Sequence, residues 1–393
     1  WTDIAVSGPL LAAAISQYLL HEHPLLGLFD ADLFIRDLTT PATTFCSRLL
    51  FHSLIAFACH GYTFVDPSAA SLAITFYAEA ISLWHSEPAQ DSITTLSASI
   101  ILFAASSNMG RGMDGLQILK DSALIGSRLG LFENSSEEQL SIHRDKRQVY
   151  SSDMDRARCT AAWGTFNWHT FHAFYDRQGP LINSPPSVQI PHFQVNVPYI
   201  SETFPTLCRL CIILNDMAWQ YYSQRTPPTE TVPREAAEIL YQRLLSWSDD
   251  LPGSLIRGPG TSHHVVVAHI WYHTIIIDTF RPFSSEPQSK PVVVTAASIK
   301  QLKRLIYIYR STFVSSNAMI LYQPGLLYLV NYLLKDVDNN ESHFYFLLCM
   351  GAYLKLASCF PIVGCIAKSI VNMALERGVV LPADAAAALE EIE

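Results

Sequence analysis

The stretch HHVVVAHIWYHTIIIDTFRPF, residues 263 to 283, decides the fold. Wound as a helix at about 100° per residue, it sets His269, His273, Ile276 and Phe280 along one stripe and Thr274, Asp278 and Arg281 along another. Val266, Val267, Ile270, Trp271, Ile275 and Ile277 fill the remaining faces. A helix apolar on nearly every side must be surrounded by protein or lipid. It is therefore expected to be the central helix of a core, stopped by Pro282.

Working outward, helical periodicity recurs almost everywhere and strand alternation nowhere. Before the central stretch, helices are predicted over 3–20, 47–60, 68–84, 92–106, 113–129 and 158–175, then over 204–222 and 233–247. After it they are predicted over 292–313, 324–334, 341–358, 361–376 and 382–392. Leu28 to Phe34 reads as a Phe-rich turn, and Glu133 to Arg158 as a charged loop becoming helical near Asp153. The fold expected is all-α, with about fourteen helices in two packed halves. Residues 180–200, PLINSPPSVQIPHFQVNVPYI, are rich in proline and without period. They set the expected division: residues 1–178, a crossing segment 179–202, and residues 203–393.

Of the 393 residues, 49% are hydrophobic and 16% charged, enough for a wide core with a sparsely charged surface. The net charge of -9 argues against a nucleic-acid surface within these residues, because phosphate binding needs a basic footprint. The apolar run Phe344 to Ala367 is interrupted by Lys355 and Pro361, and no membrane span is expected. The chain opens on Trp1 without a basic leader, so no signal peptide is expected and a longer parent protein is.

Eight cysteines lie mostly in apolar helical patterns, as reduced buried thiols do. The Cys208-x-x-Cys211 pair sits inside an apolar run with no second pair at ligand spacing, so no metal is assigned to it. No cofactor is expected in this chain. The break NMGRG, residues 108–112, lacks the Gly-Lys-Ser/Thr ending and the preceding strand of a phosphate loop, and reads as a turn.

Several strings together resemble a known family. They are NMGRGMDGLQILKDSALIGSRLGLFEN from Asn108, Ala161-Ala-Trp-Gly-Thr-Phe166, SWSDDLP from Ser246, HIWYHTIIIDTFRPF from His269, and NMALERGVVLP from Asn372. Their order resembles the middle homology region of the fungal zinc-cluster transcription factors, over nearly the whole chain. The resemblance implies an all-helical regulatory domain in a nuclear, pathway-specific activator of nutrient or secondary metabolism. It implies that DNA is bound through an N-terminal zinc cluster followed by a dimerising coiled coil, so a second copy of the chain is a candidate partner. No six-cysteine cluster or basic linker stands in these residues. The family's Asp-Arg after the Trp/Phe element, and its later Gly-Arg-Pro, are replaced by His169-Thr170 and Arg177-Gln178-Gly179-Pro180.

That substituted segment places His169, His172 and Asp176 on one helical face at i, i+3 and i+7. The trio could hold a metal, serve as a base oriented by a carboxylate, line a cavity, or consist of ordinary histidines satisfied in helix packing. This spacing is wrong for most zinc sites drawn from a single helix, and His269-x-x-x-His273 would need a third ligand from another element, so hydrogen-bonded core histidines are expected there. Arg281 is expected to pair with Asp278 or another carboxylate, because a buried charge must be compensated. An effector pocket would draw on Trp163, Trp168, His169, His172 and Asp176, together with Trp271, Tyr272 and His273.

Two functions follow. In the first, the chain is a sensing domain that binds a small-molecule effector or a protein co-regulator and acts in the nucleus. In the second, it is a cytoplasmic protein on the same fold that binds a small hydrophobic metabolite or catalyses its cyclisation or isomerisation, with His169, His172 and Asp176 as catalytic residues.

Overall fold

A computed structural model describes residues 1–86, 91–132, 151–191, 202–224, 226–258, 260–284, 288–314, 318–335, 339–376 and 378. Most of the expected charged loop, part of the crossing segment, most of the GVVLP ending and the expected helix 382–392 lie outside them. Among the described residues there are sixteen α-helices and no β-strand. None of these helices is long and apolar enough to cross a membrane. The protein is all-α. It divides into two compact units, one of residues 1–59, 68–107 and 111–225, the other of 60–67, 108–110 and 226–393.

The first unit holds α1 (Gly8–His21), α2 (His23–Leu26), α3 (Ala31–Leu38), α4 (Arg48–Tyr62, whose last turn counts with the second unit), α5 (Ala69–Ser86) and α6 (Ile93–Asn108). It continues with α7 (Gly112–Arg128), α8 (Ser152–Asp176) and α9 (Thr203–Tyr222). Two starts differ from the sequence pattern, and capping explains both. Ser7 accepts from Leu10 N–H at 3.3 Å and Pro9 occupies the first turn, so α1 begins at Gly8. Asp30 accepts from Leu33 N–H at 3.1 Å, which turns the expected Phe-rich turn into α3.

Helix α8 is the spine of this unit. It begins where Ser151 accepts from Met154 N–H, with Asp153 and Asp155 in the first turn favouring the helix dipole. It ends where Arg177 takes the left-handed conformation and Gln178 N–H returns to the Ala173 carbonyl at 2.9 Å. Gly164 lets the backbone of α8 close onto the carbonyl of Gly27, and the ring of Phe204 on α9 covers the other side of Gly27. A side chain at position 27 or 164 would collide, so three elements meet here because two residues lack a Cβ. Helix α9, expected to open the second half, packs along α8 within the first unit. The compact units therefore divide after Arg225 rather than in the proline-rich segment.

The second unit holds α10 (Pro228–Thr231), α11 (Arg234–Asp249), α12 (His263–Phe280), α13 (Lys290–Thr312), α14 (Gln323–Leu333), α15 (Asn340–Ala357) and α16 (Pro361–Glu376). Helix α12 is buried at every position from Val265 to Phe280. It packs most extensively on α13, with α11 and α14 also against it. Trp271 Nε1 donates to the Leu321 carbonyl at 2.7 Å, and Gly325 on α14 accommodates the branched side chain of Ile270. Asp278, fully buried, takes a 2.9 Å hydrogen bond from Arg281, as the cost of an isolated buried charge requires. Pro361 starts α16 and so breaks the apolar run Phe344 to Ala367 into two helices.

Candidate functional site

The eight residues expected to line an effector pocket fall into both units. Trp163, Trp168, His169, His172 and Asp176 belong to α8 in the first unit; Trp271, Tyr272 and His273 belong to α12 in the second. A small cleft in the first unit, lined by Phe29, Asp30, Phe45, Leu50, Ile93, Thr94, Ser97 and Ala157, includes none of them.

On α8, His169 is 2% exposed and its Nε2 lies 2.7 Å from Ser122 Oγ on α7. The single proton of the Ser122 hydroxyl goes to the Leu119 carbonyl at 2.6 Å, so the hydroxyl accepts from His169 Nε2–H. His169 is thereby the neutral Nε2–H tautomer, and its Nδ1 lone pair is buried with no partner. Burial, and secondarily the neighbouring His172, push its pKa down to about 3. This arrangement does not make Ser122 a nucleophile, because its proton faces away from the imidazole.

Burial also lowers the pKa of His172, while Asp176 opposes that shift from 3.4 Å. The ring of His172 meets the edge of Phe103 on α6. His172 Nδ1 and Asp176 Oδ2 lie 3.4 Å apart on the partly open end of α8. Trp163 serves structure: its Nε1 donates to the Val188 carbonyl at 3.1 Å and its ring stands edge-on to Phe166. Trp168 Nε1, Thr165 Oγ1 and Tyr175 Oη join His169 Nδ1 as buried polar atoms without partners among the described residues. At helical spacing Thr165, Trp168, His169, His172, Tyr175 and Asp176 share about one third of the circumference of α8. Such atoms carry a desolvation cost that a hydrogen-bonding guest would relieve.

The face of α8 toward α9 has a separate polar seam that sequence reasoning missed. Asn167 donates to Cys208 Sγ at 3.4 Å, Thr170 donates to Asn215 Oδ1 at 3.3 Å, and Asn215 donates to the Asn183 carbonyl at 3.4 Å. Burial raises the pKa of Cys208 to about 12 and that of Cys211 well above the ordinary thiol value. Both stay protonated, whereas a metal ligand or redox nucleophile must be a thiolate. Among the described residues no three His, Cys, Asp or Glu side chains are placed to hold a metal ion.

On α12, His269 Nε2 donates to the Leu255 carbonyl at 3.0 Å, which makes it a packing histidine. One turn later His273 is 8% exposed, its Nδ1 has no partner, and burial followed by the charge of Arg257 pushes its pKa to about 3. Tyr272 stacks on Trp247 at 5.4 Å, and burial raises its phenol to about 12. Trp271 is committed to the Leu321 carbonyl. Arg257 stands beside this group from a linker rich in Gly and Pro, where no periodicity singled it out.

The chain is 24% identical to the notoamide biosynthesis transcriptional activator notL' of Aspergillus versicolor, in an alignment covering 98% of this chain and 67% of that protein. It is 22% identical to the nitrogen assimilation transcription factors nit-4 of Neurospora crassa and nirA of Emericella nidulans, over 80% of this chain in each case. Its relatives are fungal transcription factors. The chain spans only 32% of the length of nit-4 and 39% of nirA. No protein-family model matches the chain, and no solved structure does.

Proposed function

We propose that this chain is the effector-sensing regulatory region of a fungal pathway-specific transcription factor. The observation that carries the reading is the alignment with a biosynthetic transcriptional activator, which takes in 98% of this chain and only 67% of the activator. DNA binding, in this reading, belongs to an N-terminal zinc cluster in the longer protein, which acts in the nucleus as transcription factors generally do. The acidic balance of -9 supports assigning that role elsewhere than to these residues. A small-molecule effector would satisfy the unpartnered polar face of α8 around Trp168 and His169. Binding would then shift the population of helix arrangements seen by a co-regulator.

The test is a fusion of the chain to a heterologous DNA-binding domain in a fungal host carrying a reporter. Reporter output should change with the fusion, and change again when the biosynthetic or assimilatory pathway is induced. A fusion that is expressed but leaves the reporter untouched under all these conditions would defeat the proposal.

A further inference from the structure

Helix α13, KPVVVTAASIKQLKRLIYIYRST, holds Lys290, Lys300, Lys303, Arg304 and Arg310 and no carboxylate, in a chain of net charge -9. Its inner side is buried through Ile299, Leu302, Leu305, Ile306 and Tyr309. Val293, Ala296, Ala297, Lys300, Arg304 and Tyr307 make an exposed stripe at helical spacing. Val293 is 58% and Tyr307 48% exposed. From α15 the ring of Phe344, 51% exposed, stands 6.4 Å from that of Tyr307, with Tyr345 at 5.2 Å from Phe344. Lys303 Nζ closes the group, 5.2 Å from the centre of the Tyr345 ring and 3.1 Å from Glu341. In water Lys300 and Arg304 need no counter-charge, but beside exposed aromatic rings they select an acidic partner over a basic one.

The path of the chain points to the occupant. Residues 358–360 join α15 to α16, and the two helices pack together as an antiparallel hairpin. The 16 residues of α16 retrace nearly all 18 of α15, so α16 ends level with the first turns of α15, where Glu341 and Phe344 stand. Five residues, 377–381, then reach up to roughly 17 Å, enough to pass from α16 to the neighbouring helices. The sequence that follows, PADAAAALEEIE, has Asp384, Glu390, Glu391 and Glu393 and no lysine or arginine. Ala385, Leu389 and Ile392 recur in it at i, i+4 and i+7, the spacing of one helical face.

We propose that residues 382–393 dock on the exposed face of α13 and α15 as an acidic amphipathic helix. Leu389 and Ile392 would cover Tyr307 and Phe344, and the carboxylates beside them would meet Lys300 and Arg304. Burial of the exposed rings supplies the attraction, and the charges fix the orientation. The proposal does not depend on the effector-sensing reading.

Carbodiimide treatment of the complete chain, which couples lysine amines to neighbouring carboxylates, is the first test. Mass spectrometry of the cross-linked monomer should join Lys300 or Lys303 to Glu390, Glu391 or Glu393. The yield should fall several-fold in Phe344→Ser, a substitution at an exposed position that leaves the circular dichroism unchanged. Coupling of this segment to other lysines only, or between two copies only, overturns the proposal. In the second test a labelled peptide of residues 382–393 is titrated by fluorescence anisotropy into the complete chain and into a chain ending at Leu381. The shortened chain should bind saturably, and the complete chain about 10-fold more weakly, because its own segment competes. Lys300→Glu with Arg304→Glu in the shortened chain should weaken binding about 10-fold, and Glu390→Lys with Glu391→Lys in the peptide should restore part of it. No saturable binding, equal binding by both chains, or indifference to the charge reversal overturns the proposal. If the shortened chain loses its helical circular dichroism, the cross-links in the complete chain decide.

Discussion

Helices α8 and α12 both carry buried histidines within their units, yet they draw the partners of their buried polar groups from different places in different measure. On α12 the partners are backbone or local: His269 bonds the Leu255 carbonyl, Thr274 and Thr279 bond carbonyls of their own helix, and Asp278 pairs with Arg281. On α8 three are side chains of other helices, Ser122 for His169, Cys208 for Asn167 and Asn215 for Thr170, beside the backbone carbonyls that Thr160 and Trp163 bond. Mutation cannot remove a backbone acceptor, but it can exchange a serine or an asparagine. The buried polar groups of α8 therefore depend more on side chains of other helices than those of α12 do.

The strongest way to break this comparison is at the close approaches. Gly164→Ala would place a methyl group on the Gly27 carbonyl and 2.9 Å from Leu28 Cα, both backbone, so α8 must move away. We expect a loss of about 3 kcal/mol in urea denaturation. Gly325→Ala meets the side chain of Ile270, which can turn aside, and should cost about 1 kcal/mol. Equal effects at the two glycines would show that α8 is not the more tightly seated helix.

pH separates the units next. Glu22 in the first unit is buried, and desolvation raises its pKa from 4.5 to about 8. The unfolded chain ionises this carboxyl from 4.5 upward while the folded chain resists, so its contribution is complete below 4.5 and lost as pH rises to 8. The loss is on the order of a few kcal/mol. Glu22→Gln should flatten the alkaline limb of a melting-temperature profile between pH 5 and 9, and an unchanged limb would rule out a buried Glu22. In acid the units should behave alike. His23, His169 and His273 are lowered from 6.5 to about 3, so the stability they contribute is present above 6.5 and lost as pH falls toward 3.

A smaller effect sharpens the contrast between partner types. Ser122→Ala strips His169 of its hydrogen-bond partner among the described residues and should cost about 1–2 kcal/mol by chemical denaturation. Adding His169→Leu removes the stranded imidazole and should restore part of that loss. If the double variant is less stable than Ser122→Ala alone, His169 contributes packing rather than an unmet polar group. Smallest of all, a double-mutant cycle on His172 and Asp176 should show coupling within experimental error, since Asp176 is 48% exposed at its side chain. A large coupling would mean that the pair is held for chemistry.

Much of the architecture was legible in the chain. The all-round apolarity of residues 263–280 marked α12 as buried, and Pro361 marked the start of α16 where it is observed. Local capping was harder to read: Asp30 made a helix of residues that look like a turn, because one side-chain oxygen satisfied Leu33 N–H. Of the candidate site, the shared face of His169, His172 and Asp176 was visible as spacing. Its state was not, because the neutral tautomer of His169 follows from Ser122, which lies 47 residues away. Arg257 drew no notice either, being separated by α12 in the chain from Gln301, to which it donates at 3.2 Å.

By itself the sequence determined that this protein is helical and which of its helices are deeply buried. Those properties are carried by periodicity and composition, which are local or additive along the chain. Tertiary structure alone decided that α9 belongs with α8 and that His169 is neutral and Nε2-protonated. Each of these depends on which side chains meet across tens of residues. Burial and hydrogen bonding acquire their sign and size only once those neighbours are in place.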